Sequence, residues 1–209
     1  QKKPWDKIGL HDAQTVLKKF SFADKSYCAV VATSYTVKKS HKNYFYANVV
    51  YTIYGDGLVT VESSLDKAFF GCNEIQRFGL MAELPSDFNI VEFYGRGSQE
   101  KMENLCDLND HAYMGIWRTT VEDMHEPYVM PQDNGNCGGV KWLKLINSNG
   151  NTFTVFGVPK FSFSAHNYTQ KALHSAKHQE ELVFSDTTVL CVDGFMRGTG
   201  TNTCGPDTL

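Results

Sequence analysis

The sequence predicts an all-β fold, an antiparallel sandwich with one or two short helices, and three observations carry that prediction. Aromatic residues are plentiful, with 14 Phe, 10 Tyr and 3 Trp among 209 residues, as a β-rich core requires. Apolar and polar side chains alternate in short runs, and Gly, Asn and Asp turns join those runs at hairpin spacing. Nothing alternates strand with helix as a parallel sheet would. About ten strands on this reading make a single sandwich domain over residues 1–209.

Taken in order, residues 12–19 read as a short helix, because Ala13, Val16, Leu17 and Phe20 fall on a helical face. A strand follows over 27–37, then a basic turn over 38–43. Phe45, Ala47, Val49, Tyr51 and Ile53 alternate with Tyr46, Asn48, Val50, Thr52 and Tyr54 up to the turn Gly55-Asp56-Gly57, after which Val59 and Val61 alternate with Thr60 and Glu62. Two such runs around a Gly-Asp-Gly turn predict a hairpin. Strands over 78–84 and 89–94 are split by Pro85-Ser86-Asp87, and the stretch 94–100 reads as a loop. A second hairpin joins 140–146 to 151–156 around Ser148-Asn149-Gly150, and 161–166 is a further strand. Thr169 caps a helix predicted to run through Leu182, with Ala172, Leu173 and Ala176 on one face. The last strand, 187–193, is rich in β-branched residues and feeds a loop at 198–206.

Composition excludes several function classes. A formal net charge of −3 supplies no basic field for nucleic acid. No apolar run approaches the ~20 residues of a membrane span. The chain starts Gln1-Lys2-Lys3-Pro4, with no initiating Met and no signal-peptide pattern, and so reads as a trimmed piece. Six cysteines stand at 28, 72, 106, 137, 191 and 204 without a C-x-x-C pair, which predicts no structural zinc site. Cys28 and Cys191 lie in apolar strands and read as core thiols.

The 198–206 loop is the most site-like stretch. Gly198, Gly200 and Gly205 permit close backbone approach, and Pro206 stiffens the exit. At its centre Asn202, Thr203 and Cys204 are small and able to meet a polar ligand, although the same residues also suit a plain chain terminus. Gly95 and Gly97 flank Arg96, which could fork onto a carboxylate or act as a structural clamp. A retaining glycosidase needs two carboxyls about 5 Å apart. Glu92, Glu100, Asp133 and Asp193 are available, but each reads as a surface or turn acid. Cys204 lacks a nucleophile's local context. His174 and His178 have two-His spacing but no zincin glutamate between them. The sequon Asn167-Tyr168-Thr169 matters only in a secreted chain.

Four collinear blocks carry a resemblance. They are Arg77-Phe78-Gly79-Leu80, then Tyr94-Gly95-Arg96-Gly97-Ser98-Gln99-Glu100, then 127–136 (P-Y-V-M-P-Q-D-N-G-N), and a closing stretch ending Gly198-x-Gly200-x-Asn202-x-Cys204-Gly205-Pro206. They resemble, respectively, R-x-G-L, Y-G-R-G-P-Q-E, P-Y-x-x-P-Q-E-N-G-N and the final loop of the C-terminal, small-chain sandwich of family 2 β-galactosidases. Ser98 stands where that family has proline, and residues 100–105 replace its E-N-Y-P-D-R.

The resemblance implies a galactose-mutarotase-like super-sandwich forming the C-terminal part of an enzyme that hydrolyses terminal β-D-galactosides. It implies that both catalytic glutamates lie on a separate (β/α)8 barrel, so this chain carries no catalytic residue, cofactor or metal of its own. The implied partners are that barrel region, a β-galactoside sugar, and further subunits where the parent enzyme is oligomeric, in a bacterial-type cytoplasm or periplasm. Gly200, Asn202 and Cys204 would touch substrate on the aglycone side, while Arg96, Glu100 and Asn134 would hold loops in place. Cys204 falls where some members place a stacking Trp, a face that a thiol cannot offer. A stand-alone carbohydrate-binding or protein-interaction sandwich is the alternative reading, and aldose epimerisation on the mutarotase-like fold ranks behind it.

Overall fold

A computed structural model describes residues 12–67, 75, 77–97 and 113–196. These fall into two units, one within residues 1–75 and one within 76–198. The ten strands among the described residues all pair antiparallel, in two sheets, consistent with an all-β sandwich. Among the described residues no helix is long and apolar enough to cross a membrane.

The first unit is a meander of β1 (Gln14–Lys25), β2 (Cys28–Lys39), β3 (Lys42–Tyr54) and β4 (Val59–Lys67), each beside its chain neighbour. The basic turn tightens to Ser40-His41, with Ser40 left-handed at φ 53°. The Gly55-Asp56-Gly57 turn is where expected, with Gly57 at φ 90°. The predicted helix at 12–19 is instead the start of β1. A bulge at Lys18, where the register shifts between Leu17 and Lys19, explains the difference. One extra residue puts Leu17 and Phe20 on the same face, so a bulged strand imitates the three-residue spacing of a helix.

In the second unit β5 (Arg77–Pro85), β6 (Ile90–Gly97), β7 (Tyr113–Thr120), β8 (Cys137–Ile146), β9 (Thr152–His166) and β10 (Thr187–Met196) form one sheet in the order β5-β10-β9-β8-β6-β7. Its core gathers Val91 and Phe93 from β6, Leu143 and Leu145 from β8, Phe161 and Phe163 from β9, and Val121 and Met124 from the loop after β7. Phe93 meets Phe163 edge to face at 5.0 Å between centroids.

Three expectations change here. Strands 151–156 and 161–166 are a single strand, β9, whose bulged stretch around the cis Val158–Pro159 bond separates the partners Phe156 and Phe161. Strand β6 continues through Gly97, so Arg96 lies in a strand and not in a loop. Helix α1 (Gln170–Ser175) stops well short of Leu182. Thr169 caps it as expected, its Oγ1 accepting from the Ala172 N–H at 3.1 Å. Leu173, Ala176 and Leu182 close a small cluster around Tyr168, with Ala172 packed against it. A 3-10 turn over Gln179–Glu181 delivers Leu182 to that cluster, so the apolar spacing is satisfied without a longer helix.

Candidate functional site

Of the residues the sequence singled out, Gly200, Asn202, Cys204 and Glu100 lie outside the described residues. What the structure describes is strand β10, which precedes residues 198–206 in the chain, and the elements around it. Strand β10 is an inner strand, hydrogen-bonded to β5 on one side and β9 on the other. Near its end Asp193, which the sequence presented as a surface or turn acid, is 3 % exposed. Arg77 of β5 grips it with two donors, Nε at 3.2 Å and Nη2 at 2.5 Å. The register shifts between Asp193 and Phe195. There a Cβ on Gly79 would sit 2.1 Å from the Val192 carbonyl oxygen, so only glycine lets β5 and β10 meet. The R-x-G-L block thus has a mechanical meaning: the arginine pins the carboxylate and the glycine admits the bulge.

A second network holds the loop of the 127–136 block. Asn134 is buried, and each arm of its side chain is used. Its Oδ1 accepts from the Glu126 N–H at 3.0 Å, and its Nδ2 donates to the Gln132 carbonyl at 2.9 Å and to the Tyr168 hydroxyl at 3.1 Å. His166 Nε2 donates to the Asn134 carbonyl at 2.9 Å, since a carbonyl can only accept. The His166 ring stacks on Tyr168 at 4.7 Å and 9°. His125 completes the set, accepting at Nε2 from the Gln179 amide (2.9 Å) and donating through Nδ1 to Tyr168 (3.0 Å). Gly135, at φ 66°, is required twice: by its left-handed backbone, and because a Cβ would lie 2.4 Å from the Met124 carbonyl oxygen.

The two networks meet at Asp133 and Gln170. Asp133 Oδ1 lies 3.9 Å from Arg77 Nη1. The Gln170 amide, oriented by its neighbours, donates to Asp133 at 3.0 Å and accepts from Arg77 at 3.1 Å. Strands β5, β9 and β10, helix α1 and the 121–136 loop are therefore cross-tied through polar side chains.

The electrostatics fit a frame better than a proton-transfer centre. Burial pushes His166 down to about 4, and the Asn134 carbonyl opposes that only in part. A second proton would have to sit on Nδ1, which is buried with no hydrogen-bond partner among the described residues. Burial lowers His125 as well, against the pull of Glu126. Burial raises Tyr168 to about 12 despite its Asn134 bond. Glu92 sits between Arg118 at 3.3 Å and Lys144 at 3.5 Å. His174 and His178 belong to different elements, the helix and the cap of the 3-10 turn, and no metal-binding group of His, Cys, Asp or Glu forms among the described residues. Cys28, Cys137 and Cys191 are buried.

Arg96 lies on β6, with Gly139 beside it. A Cβ on Gly139 would meet the Arg96 side-chain stem at 3.5 Å. The flanking glycines serve Trp117. A Cβ on Gly97 would lie 2.6 Å from the indole nitrogen, which donates to the Gly95 carbonyl at 3.1 Å. Sequence reasoning missed His125, His166, Tyr168 and Gln170. The sequence singled out 167–169 as a sequon and Thr169 as a helix cap, neither of which reveals the Tyr168 contacts.

Comparison with known proteins adds identity to this geometry. A family model described as beta galactosidase small chain matches residues 1–209. A β-galactosidase from Actinobacillus pleuropneumoniae is 38 % identical over 160 residues, which are 77 % of this chain and 15 % of that protein. β-Galactosidases from Priestia megaterium (30 % over 152 residues) and Streptococcus thermophilus (33 % over 154) each match 73 % of this chain and 14 % of their own length. The chain thus spans about 15 % of the length of the curated relatives it matches.

Proposed function

This chain belongs to the β-galactosidase small-chain family, and from that premise we propose that it works as the C-terminal part of a β-galactosidase hydrolysing terminal β-D-galactosides. The observation that carries the reading is the match along the whole chain, joined to relatives that are β-galactosidases several times its length. In this reading the enzyme is a glycoside hydrolase of family 2, and its catalytic glutamates lie on a (β/α)8 barrel beyond this chain. Residues 1–209 form a single galactose-mutarotase-like sandwich domain that packs on the barrel. The 198–206 loop closes the aglycone side of the sugar pocket, with Gly200, Asn202 and Cys204 at the substrate. Arg96, Glu100 and Asn134 hold the supporting loops.

The commitments of the described carboxylates favour an accessory role for this chain. Asp193 is forked by Arg77, and Glu92 is shared between Arg118 and Lys144. The frame suits such a role as well. It ends β10 on an ion pair immediately before the loop that would reach the sugar, and pre-ordered loops cost less to organise on binding. Two measurements test the reading. In the assembled enzyme Cys204→Ala should raise KM with little change in kcat, the pattern of uniform binding; a thousandfold fall in kcat would reject a peripheral contact. Titration calorimetry of the isolated chain with galactose or lactose should show weak binding, because a partial pocket gives little affinity. Sub-millimolar binding would favour a stand-alone carbohydrate-binding sandwich.

A further inference from the structure

Cross-strand partners in a sheet share a face, so strand register fixes which side chains form a continuous surface. Registers in the second unit place Ile116 of β7, Tyr94 of β6, Trp142 of β8 and Phe156 of β9 in one row on the face opposite Phe93 and Leu143. At about 4.8 Å per strand the row runs roughly 15 Å. Ile116 and Phe156 are 69 % and 70 % exposed. Met114, two residues before Ile116 on β7 and 45 % exposed, widens the apolar surface. The next row along the same face is charged: Glu92 accepts from Arg118 at 3.3 Å and from Lys144 at 3.5 Å. A contiguous apolar row with a charged border is the composition of an interface core and its rim, and a patch of this kind marks a binding surface.

We propose that this outward face of β6–β9 is a protein-docking surface, and that its occupant is an apolar face of the larger remainder of the β-galactosidase. The inference rests on the functional reading above and adds which surface makes the contact. Three observations select this occupant. The matched relatives carry about 85 % of their length outside the matched region, so most of such an enzyme is available to cover the row. Lys144 Nζ lies 5.0 Å over the Trp142 ring and takes up a face that a stacked sugar would need, while Ile116 and Met114 offer no stacking face. The charged border holds two cations against one carboxylate, which suits an acidic group on the partner next to Arg118.

Hydroxyl-radical footprinting of the isolated chain and of the assembled β-galactosidase tests this. Tyr94, Trp142, Phe156 and Met114 should be modified at least fivefold more slowly in the assembled enzyme, with core Phe93 unreactive in both. Phe156→Asp should leave the isolated chain's melting temperature within error and loosen its hold in the assembly at least tenfold. If the assembled enzyme turns over galactosides and Phe156 labels as fast as in the free chain, the docking surface is wrong and the functional reading survives. If the assembly has no galactosidase activity, both fall. Protection of the row in the free chain by lactose would replace the proposal with a sugar platform. Protection that rises with chain concentration would replace it with self-association.

Discussion

The sheet of β1–β4 and the sheet of β5–β10 use the same antiparallel pairing, but they are specified at different ranges. Every strand of the first lies beside its neighbour in the chain, and each hairpin is closed by its own local turn. The second inserts β10 between β5 and β9, about a hundred residues from one of its partners, and braces the insertion with Arg77–Asp193. Individual apolar residues in the two sheets also differ in burial. Phe20 and Phe22 of β1 remain 63 % and 60 % exposed, whereas Phe93, Leu143 and Phe163 have no accessible surface. Local pattern is enough to make a sheet of chain neighbours; a sheet that inserts a late strand between earlier ones needs long-range ties.

That contrast can be broken or sharpened by experiment. Phe163→Ala should cost about 3–5 kcal/mol in urea unfolding, the usual loss for a buried aromatic. Phe22→Ala should cost less than about 1 kcal/mol, since little contact is lost, and equal effects would erase the distinction. Acidification should act through the second sheet. His166 is held down to about 4 in the folded chain, so below its ordinary value near 6.5 only the unfolded chain takes up the proton. Stability is therefore full above about pH 6.5 and falls as pH drops toward 4, by roughly 3 kcal/mol at 1.36 kcal/mol per unit. His166→Gln should flatten that slope in pH-dependent unfolding; an unchanged slope would locate the titration elsewhere. Asp193→Ala should cost about 2 kcal/mol, because it strands a half-buried guanidinium. Glu92→Ala, whose partner Arg118 is largely exposed, should cost under about 1 kcal/mol. Thr169→Ala should cost about 1 kcal/mol through the lost helix cap.

The same division governs what the sequence revealed. The hairpins at 55–57 and 148–150, the cap at Thr169 and the antiparallel class were legible, because period-two alternation and turn residues are local properties. Lys18 defeated the reading of β1, since a bulge shifts the period by one and a helix fits the result. The length of β9 was hidden by Pro159, which reads as a break although the strand resumes beyond its bulge. The polar frame was not legible at all. Arg77, Asp133, Asn134, His166, Tyr168, Gln170 and Asp193 share no spacing, and their pairing exists only once β10 lies between β5 and β9. The resemblance pointed to two of their blocks and gave Asn134 a loop-holding role, but named no partner for any of them. Arg77 proves to be the partner of a buried acid, and Asn134 the bracket of a loop.

In the proposed function this chain shapes a galactoside pocket whose chemistry is carried elsewhere. The most direct test of this is the rate of hydrolysis of a chromogenic β-galactoside, measured for the purified 209-residue chain and for the assembled enzyme side by side. Turnover by the assembly and none by the chain at any concentration is the expected result. Steady cleavage by the chain alone, surviving repeated purification, would contradict it.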